Sequence, residues 1–197
     1  MKRLSVPSAA LLYAALAAFA NPAWAQAPEA DTRAEIEALK AGEMRKLVVH
    51  AEPVTIEQVA FTDEAGTERT LAESDGKVRL VNFWATWCAP CRVEKPSLDA
   101  LQREMGGADF EVIAIATGRN DPAGIKRFNE EVGVTALATN YDPRSAVARA
   151  MNVPGLPVTV VLDREGREIA RLMGGADWES ESARAIVAAL IAAGDGS

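Results

Sequence analysis

The sequence predicts an α/β sandwich of three layers. Three observations carry this. Two continuous β-prone runs, "VRLVNFWA" from Val78 and "FEVIAIAT" from Phe110, have the apolar continuity of central strands covered on both faces. A helix-forming stretch separates them. Two further strand-like segments, "LPVTVVLD" and "EIARLMG", are joined by "REGR" as a hairpin and followed by a helix-forming tail. Strands alternating with helices and closing on a hairpin and a helix build such a sandwich.

The elements follow in order along the 197 residues. The first 25 differ from the rest. Lys2 and Arg3 precede an apolar run from Ala9 to Ala20, and Ala23 and Ala25 stand in the small-x-small positions of a cleavage site. This reads as a secretory signal peptide cut after Ala25, with an uncleaved anchor as the alternative. The run is short beside the roughly 20 residues of a membrane span. Residues 26–31 read as a linker, and "TRAEIEALKAGEMRKL" over 32–47 as an N-terminal helix with Ile36, Leu39 and Met44 on its apolar face. Residues 52–197 are expected to form the main domain. Two short strands flank the turn "DEAGTE". After the strand at Val78, a helix runs to about Met105. "DPAGIKRFNEEVG" opens on Asp-Pro and closes on Gly, a capped helix. "PRSAVARAMNV" is a shorter helix, and "DWESESARAIVAALIAAG" a terminal one.

Composition narrows function. Hydrophobic residues make up 49% and charged residues 25%, enough apolar material for a core without a disulfide staple. The formal net charge is −7 and no basic stretch occurs, which argues against nucleic acid as a partner.

The two cysteines, Cys88 and Cys91, lie in "FWATWCAPCRVEKP". A disulfide between them closes almost no loop, so stabilisation does not explain the spacing. Zinc normally takes four ligands, and the only histidine is His50. Redox exchange explains the spacing. The pair sits where a buried strand gives way to a helix. Cys88 then occupies the helix N-terminus, where free N–H groups and partial positive charge stabilise a thiolate. It is the expected nucleophile, and Cys91, one turn into the helix, the resolving thiol. Pro90 removes a donor and stiffens the turn. Trp84 and Trp87 either wall the site or pack in the core. Pro96 is expected to bend the helix it interrupts. Far along the chain, Leu156–Pro157 precedes a strand, a place for a cis X–Pro bond. Such a turn beside the cysteines would offer a backbone edge to an extended partner peptide.

"NFWATWCAPC", the following "RVEKP" and "GLPVTVVLD" resemble the thioredoxin fold, and within it the TlpA/ResA/CcmG family of exported thiol–disulfide oxidoreductases. "GGADWESESA" leans toward the TlpA branch. The resemblance runs from about Glu52 to Ala193. It implies a thioredoxin-like sandwich with an N-terminal β-hairpin and an inserted helix, here "DPAGIKRFNEEVG". It implies catalytic roles for Cys88, Cys91, Pro157 and Glu94, with Trp87, Pro90 and Leu156 in substrate contact. No cofactor and no bound metal are expected. The upstream partner would be a membrane electron donor of the DsbD/CcdA kind. The clients would be apocytochrome c or copper-centre assembly proteins in a periplasm. The chain departs from the pattern in places. Asn82 stands where thioredoxin has a buried aspartate, Lys95 where many relatives have an apolar residue, and Val158 and Thr159 follow the proline.

Direction of electron flow rests on two residues. Ala89 offers no stabilisation to a thiolate as a histidine there would. An ionised Glu94 would repel one. Both favour a reductase. A disulfide-forming oxidant is the rival within enzymes, and a copper chaperone using His50 the rival outside them.

Overall fold

The computed structural model describes residues 27–194, so the expected signal peptide lies outside the described residues. Helix α1 spans Ala27–Leu39 and is followed by a 3-10 turn, Gly42–Lys46. Strands β1 (Val48–Val54), β2 (Phe61–Asp63) and β3 (Glu68–Arg69) precede β4 (Val78–Trp84). Then come α2 (Ala89–Met105), β5 (Phe110–Thr117), α3 (Pro122–Val132), β6 (Asn140–Asp142) and α4 (Ala146–Ala150). β7 (Val158–Leu162), β8 (Glu168–Met173) and α5 (Glu181–Gly194) complete the described residues.

The eight strands form one mixed sheet in the order β1-β8-β7-β4-β5-β6-β2-β3. β4, buried at all seven positions, runs parallel to β5 and antiparallel to β7. This is the three-layer thioredoxin-like α/β class the sequence predicts. The β2–β3 hairpin adds to β6 at one edge, and α3 is the inserted helix.

Alternation along β4 sends its side chains into two cores. Leu80 and Trp84 join Leu98 and Leu101 of α2, Ile125 and Phe128 of α3, Ile186 and Leu190 of α5 and Ile36 of α1. Val81 and Phe83 join Ile113, Ile115, Val158 and Val160 on the other face. That face is covered by the short α4 through Val147 and Ala148, and by Phe61 and Leu71. Helix starts are chemically marked. Asp121 Oδ2 accepts from Gly124 N at 3.0 Å ahead of α3, which ends at Gly133 with φ +75°. Asp142 accepts from Ala146 N and Ala148 N at the start of α4.

Several segments differ from expectation. The linker and single helix expected over 26–47 give way to α1, which begins at Ala27, and a separate 3-10 turn. Residues 48–54 then form a strand pairing with β8 at the sheet edge. Edge position explains the missed signal: β1 has no buried residue and no clean alternation. β6, three residues long, also carries no pattern of its own. The terminal helix begins at Glu181 rather than Asp177. Trp178 is drawn into the core instead, its backbone N–H donating to Ser97 Oγ at 3.0 Å. Helix α2 runs on through Pro96, an exposed residue, where the carbonyl that loses its donor is open to water.

Candidate active site

β4 delivers the chain to the N-terminus of α2 through Ala85, Thr86 and Trp87. Asn120 holds that loop: its Oδ1 accepts from Thr86 N at 2.9 Å and Thr86 Oγ1 at 3.1 Å. Its own amide donates to Thr117 O at 3.0 Å. Cys88 is the N-cap of α2, with Pro90 in the first turn. Its Sγ accepts from Cys91 N at 3.3 Å, so the sulfur takes one of the free N–H groups of the helix end. Cys88 and Cys91 are joined as a disulfide with Cα atoms 5.3 Å apart. Cys88 is 5% exposed and Cys91 1%, so an attacking sulfur reaches Cys88 more readily.

Behind the disulfide lies a buried acid. Glu94, one turn past Cys91, is 3% exposed. Its Oε1 accepts from Trp178 Nε1 at 2.6 Å, from Asn82 Nδ2 at 3.4 Å and from Thr159 Oγ1 at 3.4 Å. Asn82 also donates to Thr159 Oγ1 at 3.0 Å. Oε2 has no hydrogen-bond partner among the described residues. Burial pushes the Glu94 carboxyl up to about 7, against the bond from Trp178 and the charge of Lys95. The loop that brings Trp178 passes very close: a Cβ on Gly175 would lie 3.4 Å from Pro90 O and 3.7 Å from Glu94 Oε2. Lys46 donates to Gly175 O, and Glu43 Oε2 accepts from Asp177 N at 2.8 Å, so the 3-10 turn clamps this loop from outside.

The Leu156–Pro157 bond is cis. Val158 pairs with Phe83, so the antiparallel register carries Pro157 toward Trp84 and the loop leading to Cys88. Pro157 O accepts from Gly174 N at 2.9 Å.

A strand-to-helix Cys-x-x-Cys pair, a cis-proline turn beside it and a buried carboxyl behind it suit dithiol–disulfide exchange. Residues 49–188 match the Redoxin family, most of the chain. The chain belongs to the Redoxin family.

This Redoxin chain is similar to the thiol:disulfide interchange protein HelX of Rhodobacter capsulatus, 37% identical over 51% of this chain and 54% of that protein. It is similar to the thiol-disulfide oxidoreductase ResA of Geobacillus kaustophilus, 31% identical over 61% of this chain and 68% of the relative. The chain thus spans about half the length of HelX and two thirds of ResA. Among solved structures, a Chlorobium tepidum thiol:disulfide interchange protein DsbE has a TM-score of 0.62 at 25% identity, over 71% of this chain and 97% of that one. A secreted thiol-disulfide isomerase from Corynebacterium glutamicum has a TM-score of 0.63 at 20% identity over 79% and 96% of the two chains, a likeness of fold.

The structure of this Redoxin chain gathers Pro90, Cys91 and Glu94 on α2 with Cys88 as its N-cap, and brings Pro157 in from the turn just ahead of β7. Trp87 is 66% exposed, its indole N–H reaching Arg119 O at 3.3 Å, and Leu156 is half-buried. Trp84 belongs to the core, with its ring centroid 4.9 Å from that of Phe128. Lys95 neither faces solvent nor bonds Glu94. It is buried, with Nζ 3.8 Å from the Trp84 ring centroid. The view of Glu94 as an ordinary ionised neighbour therefore needs correction, because burial favours its neutral form and a lysine stands beside it.

His50 sits on β1 and bonds Glu168 Oε1 at 2.7 Å, three strands from β4. Burial works to raise Glu168, but hydrogen bonds from Arg171 and His50 outweigh it and hold the carboxyl low. Among the described residues no three His, Cys, Asp or Glu side chains are grouped to hold a metal. Sequence reasoning missed Trp178 and Thr159 as partners of Glu94. "GGADW" drew notice only as a likeness, and Thr159 only as a departure.

Proposed function

We propose that this chain is a thiol–disulfide oxidoreductase that reduces disulfides in client proteins outside the cytoplasm. The observation that carries the reading is the Cys88–Cys91 disulfide at the N-terminus of α2 with Glu94 buried behind it. In the reduced protein, the Cys88 thiolate attacks one sulfur of a client disulfide. A mixed disulfide forms and the client's other sulfur leaves as thiolate. Cys91, giving up its proton, then attacks Cys88, re-forms the internal disulfide and releases the second client sulfur. The client gains two electrons and the protein loses two. Glu94, the buried carboxyl one turn past Cys91, accepts the Cys91 proton when it is ionised and then returns it. Pro157 and Leu156 present a backbone edge to the client, and Trp87 and Pro90 flank the sulfur.

A dithiol partner must recharge the site. A membrane donor of the DsbD/CcdA kind fits, as do apocytochrome c or copper-centre assembly proteins as clients, with export by the leader. The names of HelX and ResA agree with the chemistry. Among the described residues no helix is long and apolar enough to cross a membrane.

The test is the reduction potential of the Cys88–Cys91 couple, from equilibration in defined thiol buffers and alkylation. A value near or below about −220 mV supports a reductase. A value near about −120 mV would instead assign the protein to disulfide formation.

A further inference from the structure

Helix α2 places Cys91, Glu94, Lys95 and Leu98 on one stripe, the i, i+3, i+4, i+7 face that packs on the sheet. Cys91 therefore has two buried ionisable neighbours on its own face. Helical side chains lean toward the N-terminus, which carries Lys95 back along the helix in the direction of Cys91. Lys95 is 2% exposed and its Nζ has no hydrogen-bond partner among the described residues. The contact that holds it is the face of Trp84, the last residue of the strand leading to Cys88. A lysine is almost never buried without pairing, because the ammonium loses its hydration. An apolar residue would fill this place at lower cost.

We propose that Lys95 is a positioning residue for disulfide exchange: it stands with Glu94 as a second buried ionisable group on the Cys91 face of the helix, coupled to Glu94 through charge and not through a bond, and its positive charge favours Cys91 as the leaving thiolate. The proposal rests on exchange at Cys88–Cys91 and deepens it. The step is recharging by a partner dithiol. A partner thiolate attacks Cys88 Sγ, the Cys88–Cys91 bond breaks, and Cys91 leaves as thiolate. That thiolate takes the proton held by the Glu94–Lys95 pair. The partner's second thiol returns a proton to the pair and attacks the partner sulfur bonded to Cys88. The partner ends as a disulfide, and the protein holds Cys91 as thiol and Cys88 as thiolate. Two electrons have crossed, and the pair is restored.

The charged surroundings permit this. Asp99, further along α2, is engaged by the Thr135, Ala136 and Leu137 amides and by Arg103. Arg92 lies over the other partner of Trp84, the Phe128 ring, and pairs with Glu131. Lys46 reaches the Glu94 side from the 3-10 turn through Gly175. Glu94 thus remains as the buried carboxyl whose charge acts on Lys95. Burial lowers Lys95 to about 7 against the charges of Glu94 and Asp99, and raises Glu94 to about 7, so both titrate in the same range.

The experiment follows thiolate absorbance against pH in the reduced wild type, Lys95→Met, Glu94→Gln and the double variant. Loss of the lysine is expected to raise the Cys91 titration by about one pH unit and to slow recharging by a partner dithiol, because Cys91 becomes a poorer leaving group. The double variant is expected to be non-additive. Cysteine titrations that superimpose in wild type and Lys95→Met overturn the proposal. A second measurement needs no variant. In wild type carrying carbon-13 at lysine Cε, the Lys95 resonance should titrate far below the surface lysines and move between oxidised and reduced protein. A Lys95 resonance that titrates with the surface lysines and ignores redox state also overturns it. Failure of the wild type to exchange disulfides with a dithiol at all defeats the exchange reading, and the lysine titration separates that result from failure of the pair.

Discussion

Replacing both members of the buried pair, Glu94→Gln with Lys95→Met, is expected to stabilise the oxidised protein most strongly near neutral pH. The sign follows from protons bound. Between 4.5 and about 7 the folded protein holds a proton on Glu94 that the unfolded chain has lost, so the pair's contribution to stability falls as pH rises. Between about 7 and 10.5 the unfolded chain holds a proton on Lys95 that the folded protein has released, so the contribution rises again. The pair therefore weakens the fold most near pH 7. Each tenfold change in a protonation equilibrium is worth about 1.4 kcal/mol. The rise of Glu94 from 4.5 to about 7 by itself corresponds to about 3 kcal/mol, so a net gain of at least that size is expected at pH 7 in the double variant. Glutamine keeps an acceptor for Trp178, and methionine keeps the packing on Trp84, so little else changes. Urea unfolding of both proteins at about pH 5, 7 and 9.5 would measure it, with midpoints compared at equal m. Ionisable groups elsewhere, such as Glu168, cancel in the difference. A difference curve without a maximum near neutrality, or a double variant less stable than wild type at pH 7, would refute the reasoning.

Three further outcomes are expected. Asp99→Ala removes the acceptor of three backbone N–H groups, from Thr135, Ala136 and Leu137 at 2.9, 2.6 and 3.1 Å, and should cost about 3 kcal/mol or more in urea unfolding. Trp178→Phe deletes the strongest bond to Glu94 Oε1 and should raise the Glu94 titration further, seen in the carbon-13 shift of its carboxyl. An unchanged titration would mean that the indole does not stabilise the carboxylate. His50→Ala should leave disulfide exchange unchanged and cost about 1 kcal/mol of stability, because the imidazole bonds Glu168 on a strand remote from the cysteines. A large loss of exchange in that variant would reopen the reading in which His50 serves the site.

The sandwich and the cysteine pair were legible because their signals are local. A run such as "VRLVNFWA" announces burial on both faces, and two cysteines two residues apart at a strand-to-helix junction admit few uses. The missed strand β1 and the misplaced start of α5 were not legible, since an exposed edge strand lacks alternation and Trp178 leaves its helix pattern for a contact elsewhere. The residues of the chain by themselves pointed to the α/β sandwich, the close cysteine pair and the cis-proline turn, and the family resemblance supplied Glu94 as the candidate acid. Only the tertiary structure decided what state that acid is in. Asn82, Thr159 and Trp178 converge on Glu94 from 12, 65 and 84 residues away, and the same packing takes both Glu94 and Lys95 out of water. Burial and neighbouring charge set a proton's affinity, and neither exists until separate strands and helices close around the group.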